Sequence, residues 1–138
     1  MQTTLTTFKR ILAQSFLAIG ALVLTHPLMA QETITAIMTH TLAAASGSEV
    51  LMYTVDFAPG FSSPTHRHDA QVSVYVLEGS VVMQVKGGKE VTLGPGQSFY
   101  ENPNDIHVVS RNASTSKPAK FLVFLIHKKG TPLVIPAK

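Results

Sequence analysis

Hydrophobic and polar residues alternate along most of the chain after residue 33, and turn-forming residues interrupt the alternation at short intervals. A period of two is typical of a β-strand with one buried face. The alternating segments cover residues 34–42, 50–57, 72–77, 80–85, 89–93, 97–100, 106–111 and 119–127. Eight or nine short strands with Gly- and Pro-rich turns between them predict a single all-β domain of the jelly-roll barrel kind.

The N-terminal region has a different pattern, which predicts an export signal. Lys9 and Arg10 precede an apolar run over residues 11–24, and a small residue, Ala30, follows a few positions later. This order is typical of a secretory signal peptide over residues 1–30, with the mature domain over residues 31–138. The run is shorter than the roughly 20 residues of a membrane span, so we expect no stable membrane insertion after cleavage. An uncleaved anchor and a buried helix remain as alternatives, and export would place the protein in the periplasm or outside the cell.

Charge and cysteine content narrow the chemistry of the mature domain. Without Lys9 and Arg10, nine basic residues remain against eight acidic ones, and the densest basic cluster is Lys128–Lys129. Nucleic acid is therefore not an expected partner. The chain has no cysteine, which excludes disulfides and thiolate ligands. Any bound metal must be held by nitrogen and oxygen atoms.

His66 and His68 are the most informative residues for function. Side chains two residues apart point to the same face of a strand, so both imidazoles can be directed at one point. His107 lies after a turn-rich segment of the kind that returns a chain to the same sheet. Three imidazoles that meet inside a β-barrel would bind a divalent transition metal.

The spacing around the histidine pair resembles the first motif of the cupin family. That motif consists of a glycine, five residues, His-x-His, three or four residues, a glutamate, six residues and a glycine. Gly60, His66, His68 and Gly79 stand at the matching positions. The resemblance extends over nearly the whole mature chain, and it implies a double-stranded β-helix, or jelly-roll barrel, around a metal site.

The second cupin motif is also present, in altered form. Gly96 and His107 have the family's spacing, while Asn102 and Asn104 stand where a proline and a glycine are usual. The proline follows one place later, as Pro103. Asparagine tolerates a positive φ better than most residues, so we expect the turn to be retained.

The main departure from the family is the loss of the glutamate in the first motif. Counted back from Gly79, its position is Val72, which has no donor atom. Gln71 is a candidate replacement ligand, but it faces the other side of the strand unless a bulge intervenes. Glu101 is a second candidate, as a fourth ligand, a partner of an imidazole or a general base. The alternative for Glu101 is an exposed turn residue.

Apolar residues are expected to form the core and the walls of a cavity above the metal. Val72, Val74 and Val76 share the face of the missing glutamate. We also expect the aromatic side chains to be core residues, namely Phe57, Phe61, Tyr75, Phe99, Tyr100, Phe121 and Phe124.

The resemblance implies a metalloprotein that acts on a small oxygen-bearing molecule. Three neutral imidazoles leave the full charge on the metal, which favours anionic bidentate ligands such as enolates or catecholates. We predict a dioxygenase-like or related enzyme with iron as the preferred metal, and nickel, copper, manganese or zinc as alternatives. A small-ligand binding or sensing cupin without catalysis is the competing hypothesis. We expect a homodimer, because long exposed edge strands such as 34–42 need cover.

Overall fold

The computed structural model describes residues 31–138, which form ten β-strands and contain no helix. The strands are β1 Glu32–Thr41, β2 Ser48–Phe57, β3 His66–Arg67, β4 Ala70–Glu78, β5 Val81–Val85, β6 Val91–Leu93, β7 Ser98–Glu101, β8 Ile106–Asn112, β9 Ala119–Lys128 and β10 Ile135–Pro136. The predicted signal peptide lies outside the described residues. No helix in the described part of the chain has the length and apolarity needed to span a bilayer.

The strands form two five-stranded antiparallel sheets, and this confirms the predicted all-β jelly roll. The first sheet has the order β1-β2-β9-β4-β7, and the second has the order β10-β3-β8-β5-β6. The longest ladder of the first sheet pairs β2 with β9, from Ser48↔Lys128 to Phe57↔Ala119, without a register shift. Neighbours in each sheet are mostly distant in sequence. The strands that carry His66 and His107, β3 and β8, are paired although a long segment separates them.

The core lies between the sheets and follows the predicted alternation. Along β4, Val72, Val74 and Val76 are buried while the residues between them are exposed. The matching positions of β9 and β2 contribute Phe121 and Phe57, whose rings meet edge to face. Each of these buried side chains stabilises the fold by about 1.5–3 kcal/mol.

Three of the seven aromatic residues expected in the core are exposed instead. Tyr75, Tyr100 and Phe124 have 47%, 50% and 38% of their surface accessible. They occupy the outward phase of β4, β7 and β9, because the buried positions of these strands fall on the alternate residues. The aromatic residues correctly indicated strands. Which face of the sheet each ring occupies depends on whether its position falls on the inward or the outward side of the alternation.

Candidate metal centre

The second sheet brings the three predicted histidines together. His66 on β3 and His107 on β8 are direct cross-strand partners, and His68 follows one residue after β3 ends. All three side chains are buried, and one ring nitrogen from each lies within 4.8 Å of the others. Among the described residues this is the one group of three or more potential metal ligands that meets at this spacing.

The surroundings of each ring determine which nitrogen faces the centre. The Nδ1 atom of His66 lies 2.7 Å from the carbonyl oxygen of Pro64, and that of His68 contacts the carbonyl oxygen of Leu133. A carbonyl only accepts, so Nδ1 of both rings carries a proton, and Nε2 is the nitrogen left available to a ligand. In His107 it is again Nε2 that is buried without a hydrogen-bond partner.

The surroundings of His68 and His107 favour the neutral form of both rings. Burial, followed by the nearby His66 and His68 rings, lowers the pKa of His107 to about 3. Burial also lowers the pKa of His68, although the hydrogen bond to Leu133 opposes this effect. Neutral imidazole is the form that coordinates a metal, so His68 and His107 need not lose a proton before binding at neutral pH.

Glu101 lies directly opposite Val72 in the first sheet, where β4 pairs with β7. Both residues are 2% exposed and face the interior. Side chains at such paired positions have their Cβ atoms about 5 Å apart. A carboxylate therefore enters the site from β7, at the level where the cupin motif would place one on β4.

Glu101 reaches across the interior to the Nδ1 side of His107. Its Oε1 lies 3.3 Å from that nitrogen, on the opposite side of the ring from Nε2. Glu101 thus lies beside the Nδ1 side of His107, whose ring also has a backbone hydrogen bond to Val109, and it is not part of the group of converging nitrogens. Burial raises the pKa of Glu101 to about 7, and nearby Asp105 adds to the shift.

Gln71 does not join the three histidines. It is exposed, on the outward phase of β4, and the register shift in this strand comes later, between Val76 and Glu78. The side chain borders a separate surface depression together with His127 and Lys128. Gln71 therefore faces outward, as the alternation of the strand predicted.

The turn before His107 is held in place by its own polar residues. Asn104 adopts the left-handed backbone expected of it, with φ at 67°. Its side chain accepts a hydrogen bond from Arg67, and its N–H donates to the carbonyl oxygen of His68 at 2.8 Å. Arg67 accordingly faces away from the histidine centre, and these bonds link the turn to the segment that carries His66 and His68.

A cavity of about 380 Å³ opens above the three histidines. Its walls are mainly apolar, and its exposed lining residues Ile34, Pro64, Val134 and Pro136 mark the opening. The buried part of the lining consists of Tyr53, Val55, Phe57, Val72, Val74, Met83, Phe121 and Val123, with Glu101 and Ser110. The volume suits a small organic molecule.

Sequence reasoning missed two polar residues of this cavity, Tyr53 and Glu32. Tyr53 is buried, and its burial, together with the charges of Glu101 and Glu32, raises the pKa of its hydroxyl. Tyr53 therefore stays protonated near neutrality and is available as a donor. Tyr53 is two residues before Val55 and four before Phe57, so strand alternation places it on the same inward face of β2, and this spacing could have revealed it. Glu32 begins β1, and only the pairing of Glu32 with Phe57 reveals its direction.

The fold and the site together define a class of protein, a double-sheet β-barrel with three histidines in its interior. A family model described as "Cupin domain" matches residues 53–125, and the chain belongs to the cupin family. The match begins at Tyr53 and ends at Leu125, so it contains all three histidines and Glu101.

Individual relatives agree with this assignment. The chain is 34% identical over 95 residues to the cupin-domain-containing oxidoreductase srdB of Neurospora crassa, a match that covers 64% of this chain and 43% of that protein. The fold resembles the DMSP lyase DddQ from Ruegeria pomeroyi with a TM-score of 0.61 and 20% identity, over 77% of this chain and 51% of that one. It also resembles an oxalate oxidase in complex with glycolate, with a TM-score of 0.58 and 21% identity, over 76% and 54% of the two chains. This chain thus spans about half the length of these proteins or less.

The donor set fits a divalent transition metal. Three neutral imidazoles with Nδ1 engaged are a common way to hold such an ion, and the orphaned Nε2 of His107 is a buried acceptor that a cation would satisfy. His66, His68 and His107 are the residues that would bind it. The apolar walls would keep the surroundings of the ion at low polarity.

Proposed function

We propose that this protein is a cupin metalloenzyme, dioxygenase-like or of a related metal-dependent kind, that acts on a small oxygen-bearing molecule in the cavity. The observation that carries the proposal is the convergence of three buried imidazole nitrogens with a proton acceptor near Nδ1 of each ring. Side chains fixed in this way are built to bind an ion rather than to fill a core.

Iron is our proposed metal, with nickel, copper, manganese or zinc as alternatives. When bound, it would supply Lewis acidity and, if redox-active, a means of using O₂. The residues around the site carry the rest of the proposed chemistry. The apolar walls exclude water from the ligand and orient it, and Tyr53 offers a hydrogen-bond donor to an oxygen atom of the ligand.

Glu101 is the proposed catalytic acid or base. It lines the cavity, and its Oε2 is buried with no hydrogen-bond partner among the described residues. A hydroxyl group of the ligand would provide that partner. A pKa of about 7 allows Glu101 to accept and return a proton near neutral pH, which suits an enolisable or catecholic substrate.

The competing function is a binding or sensing cupin that catalyses nothing. The small number of proton carriers in the cavity favours it, because Glu101, Glu32 and Tyr53 are the ionisable lining residues, besides the histidines, in the described part of the chain. Both functions need the same cavity, so turnover must decide between them.

The first experiment is elemental analysis of the full chain, purified from its own host without chelator or a histidine tag. We expect about one transition-metal ion per chain. The His107→Ala variant should lose it, while His40→Ala, which alters an exposed histidine on β1, should keep it. Unchanged metal content in His107→Ala would refute the site.

Oxygen uptake then separates the two functions. Metal-loaded protein is given catechols and β-diketones while dissolved O₂ is followed. Consumption that depends on His107 and is reduced in Glu101→Gln would support the enzyme. Ligand binding without O₂ consumption or product would favour the binding protein.

We further propose that the protein is exported to the periplasm or secreted. The order of features in residues 1–30 supports this, since two basic residues are followed by an apolar run and then by a small residue. N-terminal sequencing of the purified protein tests it, and a mature chain that begins at Gln31 is the expected result.

A further inference from the structure

The acidic and basic residues that line the cavity are all of one sign. Two carboxylates, Glu32 and Glu101, belong to its lining, and no lysine or arginine among the described residues does. The remaining polar lining is neutral and consists of hydroxyl groups and imidazoles. A ligand in this cavity therefore meets one source of positive charge, the metal ion of the proposed function, and meets negative charge elsewhere.

The two carboxylates lie in different parts of the cavity. Glu101 is 2% exposed and contacts His107, so it belongs to the buried end. Glu32 is half-buried at the start of β1, and its neighbour on the same face, Ile34, is 46% exposed and marks the opening. Glu32 is also close enough to His66 for the two to interact electrostatically. Its carboxylate thus lies between the histidines and the opening.

This arrangement places positive and negative charge at the two ends of a ligand's path. An anionic oxygen group is favoured at the histidines, where the metal would bind. A second anionic group further out would approach Glu32 without a cation to neutralise it, and in a cavity of low polarity such repulsion is weakly screened. A cationic group at the same position would form an ion pair with Glu32.

We infer that the cavity selects a small zwitterion, with an anionic oxygen group at the three histidines and a cationic group beside Glu32. This inference rests on the proposed metal site and makes Glu32 the residue that determines specificity. It excludes small dianions such as dicarboxylates as preferred ligands. The apolar walls fit the short carbon chain that would join the two ends.

Three carboxylates of matched shape test the inference by isothermal titration calorimetry on the full chain loaded with Zn²⁺. The first, 3-(trimethylammonio)propionate, has a cationic end, and 4,4-dimethylpentanoate is its neutral isostere. Succinate replaces that end by a second carboxylate. We expect the cationic ligand to bind roughly tenfold more tightly than the neutral isostere, and succinate to bind most weakly.

The variants assign the effect to one residue. Glu32→Gln should remove the preference for the cationic ligand over its isostere, whereas Glu78→Gln, which alters an exposed carboxylate at the end of β4, should retain it. The inference is overturned if succinate binds as tightly as the cationic ligand, if Glu32→Gln keeps the preference, or if none of the three ligands binds to Zn²⁺-loaded protein. Titration of the apoprotein with Zn²⁺ is the first step, and failure there would refute the metal site itself.

Discussion

Val72 and Glu101 show how a single position changes the chemistry of the site. The strand that carries the cupin motif has valine at the level of the histidines, and the neighbouring strand supplies a carboxylate at the same level. The site gains apolar wall on β4 and keeps one acidic group, which is directed at Nδ1 of His107. Three neutral donors and one neighbouring carboxylate leave more positive charge on a bound ion than a ligand carboxylate would.

The sequence alone indicated the three histidines and Glu101 but not how they are arranged relative to one another. The spacing of His66 and His68 predicted a shared direction, because strand alternation is local. The role of Glu101 depends on the pairing of β4 with β7, which is non-local and is invisible in residue spacing. Glu32 was missed for the same reason, since its direction follows from its register with β2.

Gly79 gives a prediction at the scale of one residue. Its φ is 68°, and a Cβ atom built there would lie 2.4 Å from the carbonyl oxygen of Pro118. Gly79→Ala therefore combines an unfavourable backbone conformation with a backbone clash, and we expect it to lower the unfolding free energy by about 2–4 kcal/mol. Urea denaturation measures this change.

Gly60→Ala is the matched control. Gly60 also has a positive φ, 73°, but a Cβ atom there meets nothing within 4 Å. We expect this variant to lose only about 1 kcal/mol, the cost of the backbone conformation alone. Equal losses in the two variants would show that the close approach to Pro118 has no energetic weight.

At the scale of strands, β1 differs from the other edges of the two sheets. From Thr33 to Thr41 it contains no charged residue and no proline, and all nine residues are exposed. The opposite edge, β7, has four residues and β6 has three, while β10 has two and includes Pro136. Natural sheets protect long edges with charge, proline or cover, so β1 is suited to pair with a second copy of the chain.

A homodimer through β1 is therefore our expectation, and Ile37→Lys tests it. Ile37 is 54% exposed, and a lysine in the middle of the edge would place like charges near each other across the two-fold axis. Sedimentation velocity should show a dimer for the wild-type chain and a monomer for this variant. Leu77→Lys, which adds the same charge to exposed β4, should remain dimeric. A monomeric wild-type chain at micromolar concentration would contradict the prediction.

The alternation of hydrophobic and polar residues did not reveal the two shortest strands, and only the spacing of His66 and His68 pointed to β3. β3 and β10 have two residues each and pair with one another, at Ile135↔Arg67 and Pro136↔His66. Two residues are too few to show any alternation of hydrophobic and polar positions. The longer strands were placed within a few residues of their bounds because their alternation is long enough to read.

At the scale of the whole molecule, the histidine site links stability to pH. In the metal-free protein the folded pKa values of His68 and His107 lie below 6.5, so the folded state binds fewer protons than the unfolded state as pH falls below that value. These two residues reduce stability from about pH 6.5 towards pH 3. Glu101, with a folded pKa of about 7 against an ordinary 4.5, opposes this loss between pH 7 and 4.5.

We expect the melting temperature of chelator-treated protein to fall between pH 6.5 and 4, most steeply below pH 4.5, where the opposing contribution of Glu101 has ended. Differential scanning calorimetry measures this. Glu101→Gln lacks the opposing contribution, so its melting temperature should fall more steeply between pH 6.5 and 4.5. A melting temperature that stays constant or rises down to pH 4 would show that the buried histidines are not neutral in the fold.

The contact between His68 and the carbonyl oxygen of Leu133 has a consequence for the order in which the protein is made. Leu133 leaves the ribosome more than sixty residues after His68, as does the β10 segment that pairs with His66. All three histidines can therefore be present in a growing chain while the ring of His68 lacks its carbonyl partner and β3 lacks its neighbour β10. If the protein binds the proposed metal, capture with native geometry would then follow translation, in whichever compartment the finished chain folds.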